Sequence, residues 1–238
     1  MLSDIAIEFE NVWKKYSKGT TFHNTLREGI LNFITRTFSK DKDDHLRKDE
    51  FWVLKCFNLT VKKGESVGLY GPNGAGKSTI LKLIAKVTYP DKGKIIVNGK
   101  VAPLIEIGAG FHPDLTGREN IFMNGAILGM SIKEIKSKIE DIIEFSGIRE
   151  FIDMPVKKYS SDMYLRLAFS VAIHSEADIY LFDEILAVGD EEFQKKCLKK
   201  IIQLKKNHNK TLLFVTHNRQ LMEDITDRIV FLKKQRKG

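Results

Sequence analysis

The first segment of the chain alternates apolar and polar side chains over residues 5–12, IAIEFENV. A period of two is typical of a half-exposed β-strand, which we therefore predict here. Between Phe22 and Phe38 apolar residues recur at every fourth position instead, and this spacing predicts an amphipathic helix. The charged run at residues 39–50, SKDKDDHLRKDE, then predicts a solvated loop.

Beyond residue 50, blocks with strand-like and helix-like patterns follow one another. The pattern predicts a strand that ends near Thr60, a turn at Gly64 and a second strand at Val67 to Tyr70. The second strand is nearly continuous in apolar residues, as buried parallel strands are. Further helices are expected at residues 77–86, 118–145, 163–174 and 194–206, and further strands at 94–97, 179–184, 211–217 and 228–234. The alternation predicts an α/β fold built on a mainly parallel sheet.

Composition narrows the class of protein without choosing a function. The chain has 238 residues, of which 42% are hydrophobic and 29% charged, which is typical of a globular protein with a substantial core. Cys56 and Cys197 are too far apart in sequence to indicate a disulfide framework or a zinc site. No run reaches the roughly 20 apolar residues of a membrane span, and no signal peptide is evident, so we expect a cytoplasmic protein. The net charge of +8 is compatible with nucleotides, nucleic acid, an anionic membrane or merely a solvated surface.

The segment GPNGAGKST at residues 71–79 follows the buried strand and precedes a helix. It matches the phosphate-binding pattern G-x-x-x-x-G-K-[ST] in the context that this pattern requires. Backbone N–H groups of such a loop bind phosphate oxygens, while Lys77 would reach the β- and γ-phosphates and Ser78 would bind Mg²⁺. The other residues expected to contact ATP in this loop are Gly71, Asn73, Gly74, Ala75, Gly76 and Thr79.

Polar residues end two later apolar strands. Asp183 and Glu184 close IYLFDE, where we expect Asp183 to hold the metal and Glu184 to polarise the attacking water. Capping of the following segment is the alternative for this pair. His217 closes TLLFVTH, and parallel strands would bring it to the same ligand-binding edge of the sheet. For His217 we favour a functional role over a structural one.

A third candidate is the turn YSSD at residues 159–162, which precedes a helix-like segment. Taken alone, it predicts an ordinary helix cap, because serine and aspartate oxygens accept the first free backbone N–H groups.

Together these motifs resemble the nucleotide-binding subunit of ABC transporters over nearly the whole chain. In that family, two subunits enclose two ATP molecules, each between the P-loop of one subunit and the signature turn of the other. The resemblance therefore implies a homodimeric ATP hydrolase that uses Mg²⁺, with a P-loop core, an antiparallel β subdomain and a helical signature subdomain at about residues 112–176. The family signature Leu-Ser-Gly-Gly-Gln falls on Tyr159, Ser160, Ser161, Asp162 and Met163, with the usual downstream arginine at Arg166.

The resemblance assigns roles to four further residues. Tyr16 matches the aromatic residue that stacks on adenine, Asp190 the aspartate that couples the two sites, and His217 the residue that senses the γ-phosphate. Glu106 stands where the loop that senses the membrane partner usually carries glutamine. A carboxylate oxygen for metal or water remains there, whereas the neutral amide is lost.

Within the family, two segments are similar to the sequences of exporters of lipid-linked polysaccharides such as O-antigen, capsule or teichoic acid. These segments are EIGAGFHPDLTGREN and DEILAVGDEEFQKK. This implies a peripheral protein on the inner face of the cell membrane, bound to a transmembrane permease subunit. The helix at residues 22–38 would lie near the cytoplasmic entry of the pore, although its periodicity equally allows packing on the sheet. Members usually continue past the strand at 228–234, so we expect a C-terminal extension outside this sequence.

Asp162 departs from the family pattern, which has the second signature glycine at this position. In the family that glycine approaches the γ-phosphate closely, so an aspartate there would bring a negative charge next to the phosphate. Two unit charges about 4 Å apart interact by about 4 kcal/mol at an effective dielectric constant near 20. We therefore hypothesise that Asp162 weakens ATP-driven dimerisation. Three alternatives stay open. The carboxylate could turn outward and cap the helix, the aspartate could be an introduced change that blocks hydrolysis, or the protein could be a regulator with low turnover. A soluble ABC ATPase that acts on nucleic acid or ribosomes is a further alternative for the whole chain.

Overall fold

The computed structural model describes residues 4–17, 49–105, 108, 110–184, 189–207, 209–216 and 218–234. The predicted helix at residues 22–38 lies outside these residues, and so do Glu106 and His217. The strands are β1 (Ile5–Ser17), β2 (Glu50–Lys62), β3 (Ser66–Tyr70), β4 (Lys92–Val97), β5 (Val101–Leu104), β6 (Ile179–Asp183), β7 (Thr211–Val215) and β8 (Arg228–Phe231). The helices are α1 (Lys77–Ile84), α2 (Gly117–Ile127), α3 (Ile132–Ser146), α4 (Ser161–Ile173), α5 (Glu191–Lys206) and α6 (Arg219–Ile225).

A parallel sheet of five strands, in the order β5-β6-β7-β3-β8, forms the centre of the described part of the chain. Strand β7 lies between β3 and β6 and is buried along its whole length. Continuous apolar strands are typical of parallel sheets that are covered on both faces. The α/β fold with a mainly parallel sheet, expected from the sequence, is confirmed.

Strands β2, β1 and β4 form a separate antiparallel sheet. The alternating pattern of residues 5–12 correctly predicted β1, in which Ile7, Phe9 and Val12 are buried. The two strands predicted on either side of Gly64 belong to different sheets, since β2 pairs with β1 and β3 lies in the parallel sheet.

The single helix predicted at residues 118–145 is wrong, because α2 ends at Ile127 and α3 begins at Ile132. Gly129 between them has a φ of +81°, which interrupts helical geometry. Ser131 then caps α3: its hydroxyl accepts from the N–H of Glu134, whose carboxylate accepts from the N–H of Ser131. Helices α2, α3 and α4 bury a hydrophobic cluster of their own, which includes Ile121, Ile142 and Leu167.

Two elements have no counterpart in the predicted pattern. Strand β5 has only four residues and contains Pro103, which a sheet tolerates at its edge, where β5 lies. Helix α6 is a short segment after β7. Among the described residues, none of the helices combines the length and apolar character that crossing a bilayer requires.

Candidate functional site

The P-loop turns sharply between β3 and α1. Gly74 and Gly76 have φ values of +80° and +95°, in the left-handed region that favours glycine. At Gly76 the space is also limited, since a Cβ would lie 2.9 Å from Leu54 Cδ2 of strand β2. Gly76 is the N-cap of α1 and carries no side-chain oxygen to occupy the first N–H groups of the helix. The start of α1 is therefore suited to bind an anion.

Lys77 is the first residue of α1 and is only 7% exposed. Its ammonium donates to the carbonyl oxygens of Gly71, at 2.7 Å, and of Pro72, at 3.3 Å. The chain thus holds a positive charge against the carbonyls at the start of the loop. A positive charge and free helical N–H groups at one place are what phosphate binding requires.

The side chain of Ser78 is close enough to the carboxylate of Asp183, at the end of β6, for hydrogen bonding between them to lower the pKa of that carboxyl. Burial raises the pKa of Asp183, and the neighbouring Glu184 carboxylate acts in the same direction. The bond from Ser78 and the charges of Lys77 and Lys82 oppose this rise in pKa. A hydroxyl and a carboxylate side by side are oxygen ligands of the kind that Mg²⁺ prefers, so these residues fit that metal.

Glu184 follows β6 and has a φ of +54°, in the left-handed region. Its N–H donates to the carbonyl of Val215 at 2.8 Å, while its side chain is exposed. A left-handed backbone costs a residue with a long side chain on the order of 1 kcal/mol, and such strain is concentrated at functional sites. The left-handed backbone thus occurs at the acid that is expected to contact the attacking water.

Two predicted site residues, His217 and Glu106, lie outside the described residues, so their roles stay predictions. Strand β7, which precedes His217, is level with both neighbours, since Val215 pairs with Leu69 of β3 and with Asp183 of β6. The end of β7 is therefore at the same edge of the sheet as the P-loop and Asp183.

Tyr16 lies near the end of β1, half-exposed and opposite Phe51 of β2. The ammonium of Lys14 lies 5.4 Å from the centre of its ring. The same sheet borders the P-loop, because Val53 and Leu54 of β2 flank Gly76. This location is compatible with adenine stacking, which stays a prediction.

In the signature turn, Ser160 is the N-cap of α4, and its hydroxyl accepts from the N–H of Met163 at 3.1 Å. The helix cap predicted from YSSD is thus confirmed at Ser160, while Ser161 is the first helical residue. The alternative that Asp162 caps the helix is wrong. Its carboxylate lies 3.5 Å from the guanidinium of Arg166, one turn further along α4.

Arg166 also joins the signature helix to Asp190, whose carboxylate lies 3.7 Å from the same guanidinium nitrogen. The other oxygen of Asp190 accepts from the N–H of Phe193 at 2.8 Å and so caps α5. The guanidinium lies 4.9 Å from the centre of the Phe193 ring and donates to the Ser146 carbonyl at 3.1 Å. One arginine therefore offsets two carboxylates that the sequence places far apart.

The family model described as "ABC transporter" matches residues 54–187, more than half of the chain. The chain belongs to the ABC transporter family.

Individual ABC proteins agree with this assignment. The O-antigen export system ATP-binding protein RfbB of Klebsiella pneumoniae is 44% identical over 230 residues, 97% of this chain and 91% of its own length. The protein of the same name from Myxococcus xanthus is 46% identical over 214 residues, but the match covers only 48% of its length. The teichoic acids export ATP-binding protein TagH of Enterococcus faecalis is 48% identical over 182 residues, 76% of this chain and 40% of its own length.

A solved dimeric ATP-binding cassette, in a post-hydrolysis state with ADP and Pi, matches this ABC protein with a TM-score of 0.72. It is 20% identical, and the match covers 98% of this chain and 97% of the other. At that identity the likeness shows the fold.

The contacts of Arg166 in this ABC protein were not predicted. The spacing of Asp162 and Arg166, four residues apart on a helix, is a usable signal for an ion pair. The approach of Asp190 depends on how α4 and α5 pack, which no local pattern reports.

Proposed function

We propose that this chain is the ATP-binding and ATP-hydrolysing subunit of an exporter that moves a lipid-linked polysaccharide across the cytoplasmic membrane. The contact between Ser78 and Asp183 beside the buried Lys77 carries the ATPase part of the proposal. The names of the relatives, O-antigen and teichoic acid export proteins, support the class of transported molecule. In this role the chain works as a peripheral subunit on the inner face of the membrane.

The reaction is hydrolysis of the bond between the β- and γ-phosphates. A water oxygen attacks the γ-phosphorus, the bond from phosphorus to the bridging oxygen breaks, and ADP and phosphate leave. Glu184 orients the water and Lys77 offsets charge on the phosphates, while the N–H groups at the start of α1 bind their oxygens. Mg²⁺, when bound, supplies further charge compensation, and Ser78, Asp183 and Glu106 are the residues that would hold it.

The second half of each site comes from a second copy of the chain. Ser160, Ser161, Asp162 and Met163 would face the ATP bound by the partner, with the start of α4 directed at its γ-phosphate. Asp190 would couple the two sites and His217 would sense the γ-phosphate. The ion pair between Arg166 and Asp190, which joins the signature helix to α5, supports the coupling role of Asp190.

The transmembrane partner would bind where apolar side chains are exposed beside the Glu106 loop. A cleft of about 140 Å³ is lined there by Val87, Ile105 and Ile127. Val87 is 57% and Ile127 62% exposed, which supports a protein contact at this surface. Co-purification with the membrane subunit from detergent tests this contact, and Ile127→Glu should abolish it.

Two measurements test the function itself. Phosphate release from Mg-ATP by the purified chain should fall more than about 100-fold in Lys77→Ala, because a phosphate-binding charge is lost. In cells that lack their own exporter ATPase, the chain together with its membrane subunit should restore polysaccharide at the cell surface. Hydrolysis without restoration would contradict the transported class and leave the ATPase intact.

A low-turnover regulator is the second candidate, because Asp162 adds a carboxylate to the signature turn. Arg166 lies within 3.5 Å of that carboxylate and offsets its charge, which favours the exporter motor.

A further inference from the structure

Tyr164 is one residue beyond the signature turn, and its side chain reaches the loop that follows Glu106. Its hydroxyl donates to the carbonyl of Gly108 at 2.7 Å. The same carbonyl accepts from the N–H of Phe111 at 2.9 Å, which closes the turn between these residues. The carbonyl of Gly108 thus accepts two hydrogen bonds, one from the Tyr164 hydroxyl and one from the backbone of Phe111.

Two further observations show that the Tyr164 ring packs closely against Gly108 and Phe111. The rings of Tyr164 and Phe111 lie 5.1 Å apart, centre to centre, and are tilted by 59°. A Cβ at Gly108 would lie 2.3 Å from Tyr164 Cε1, closer than real side chains come, so the ring occupies space that only glycine leaves free. Gly108 also has a φ of +79°, which favours glycine for a second reason.

The other end of this contact is the signature turn. The N–H of Tyr164 donates to the carbonyl of Ser160 at 3.0 Å, in the first turn of α4. Tyr164 therefore makes one hydrogen bond to the N-cap of the signature helix and another to the Glu106 loop. Burial raises the pKa of Tyr164 above its ordinary value of 10.0, so its hydroxyl stays protonated and able to donate at neutral pH.

We propose that Tyr164 is a positioning residue that fastens the Glu106 loop to the signature helix. The inference rests on the proposed function, in which the loop lies beside the chain's own ATP and the signature turn faces the partner's ATP. One hydroxyl then makes the position of the signature turn depend on the loop that contacts the nucleotide in the same subunit. Loss of the hydroxyl should weaken ATP-driven dimerisation without weakening the binding of ATP to the P-loop.

Tyr164→Phe tests the proposal, because it removes the hydroxyl and keeps the ring against Phe111. ATP-driven dimerisation is measured by light scattering in the Glu184→Gln background, with a fluorescent ATP analogue to measure binding by the monomer. Hydrogen exchange is followed over residues 104–115. The matched control is Tyr180→Phe, which removes a buried tyrosine hydroxyl that donates to the backbone carbonyl of Ser175 and not to Gly108.

We expect Tyr164→Phe to speed exchange over residues 104–115 and to weaken the dimer roughly five- to thirtyfold, since each subunit loses one hydrogen bond. Binding of the ATP analogue should stay within about twofold, and Tyr180→Phe should leave loop exchange and dimerisation unchanged.

Unchanged loop exchange or unchanged dimerisation in Tyr164→Phe overturns the proposal. Equal weakening of the dimer in Tyr180→Phe also overturns it, because a loss of overall stability would then explain the effect. If the parent protein does not dimerise with ATP, the proposed dimer fails separately. Loop exchange then decides the fastening: faster exchange in Tyr164→Phe supports it, and unchanged exchange overturns it.

Discussion

The P-loop and the signature turn both lead into a helix, yet their helix N-termini differ in charge and in capping. At the start of α1, Gly76 offers no side chain and Lys77 adds a positive charge. At the start of α4, Ser160 already occupies the N–H of Met163, and Asp162 adds a negative charge. The first helix start is thus prepared for a phosphate by its own chain, whereas the second is satisfied without one.

The hydrophobic cores behind the two turns also differ. Helix α1 packs Ile80, Leu81 and Ile84 into a cluster shared by the two sheets. Leu167 and Val171 of α4 belong to the cluster of the helical part. Separate cores mean that stability lost behind one turn need not be lost behind the other, so the two halves of the site can be perturbed individually.

The largest effect is expected from a substitution that removes the proposed catalytic carboxylate and leaves the P-loop and the signature turn unchanged. Glu184→Gln should lower the kcat of ATP hydrolysis by about a thousandfold, because in the proposed mechanism this carboxylate orients the attacking water and accepts its proton. The measurement is steady-state phosphate release, with the exposed Glu150→Gln as the control expected to behave as the parent. Retention of full activity in Glu184→Gln would assign the water-orienting role to another residue.

A matched pair of core truncations separates the two cores. Leu167→Ala and Leu81→Ala each remove a fully buried leucine and should lower the free energy of unfolding by about 3 kcal/mol in urea titrations. Leu167→Ala should weaken dimerisation and retain binding of the ATP analogue, whereas Leu81→Ala should weaken that binding. Proportional loss of both properties in both variants would mean that the cores act as one.

Acid should destabilise the signature helix through His174, at its C-terminal end. Burial lowers the pKa of His174 to about 4 from its ordinary value of 6.5. The unfolded chain therefore takes up a proton first as the pH falls, and the free energy of unfolding decreases between about pH 6.5 and pH 4. We expect a loss of about 2 kcal/mol after allowing for partial exposure of the ring.

Urea titrations at pH 7.5, 5.5 and 4.5 measure this effect, with His174→Gln as the variant that cannot titrate. An equal loss of stability in His174→Gln would assign the acid sensitivity to other groups, such as Asp141, whose charge acts on the pKa of the ring together with those of Lys138 and Lys200.

The smallest expected effect tests the charge on the signature turn. Asp162→Gly should strengthen ATP-driven dimerisation about tenfold in the Glu184→Gln background, because the proposed dimer places this carboxylate beside the partner's γ-phosphate. The same change should slightly destabilise the monomer, since glycine is unfavourable within a helix. Asp162→Asn removes the charge without adding glycine's freedom and should give most of the gain. Dimerisation and hydrolysis that are unaltered in both variants would rule out the hypothesis for Asp162.

The sequence was most informative where function depends on a short continuous segment. Residues 71–79 carry their own pattern and their own strand-to-helix context, so the P-loop could be located without a structure. Strand β7 could be predicted because both of its faces are buried, which makes every residue apolar. The cap at Ser160 is local chemistry of the same kind.

The sequence was least informative where residues distant in the chain meet. Arg166 contacts Asp190 only because α4 and α5 pack together, and Tyr164 reaches Gly108 across 56 positions of sequence. Strand β5 was not predicted, because four residues that include a proline give an apolar pattern too short to be distinguished from a loop. The break before α3 could have been predicted, since Ser131 and Glu134 have the spacing of a capping box.

The left-handed backbone at Glu184 means that the residue most favourable for stability at this position differs from the residue that the proposed hydrolysis requires. Asparagine and glycine tolerate this conformation better than glutamate does, so either substitution should relieve strain in the folded chain. Neither residue can take a proton from water. A library selected for heat resistance alone would therefore drift toward asparagine or glycine at this position and accumulate proteins that bind ATP but no longer consume it.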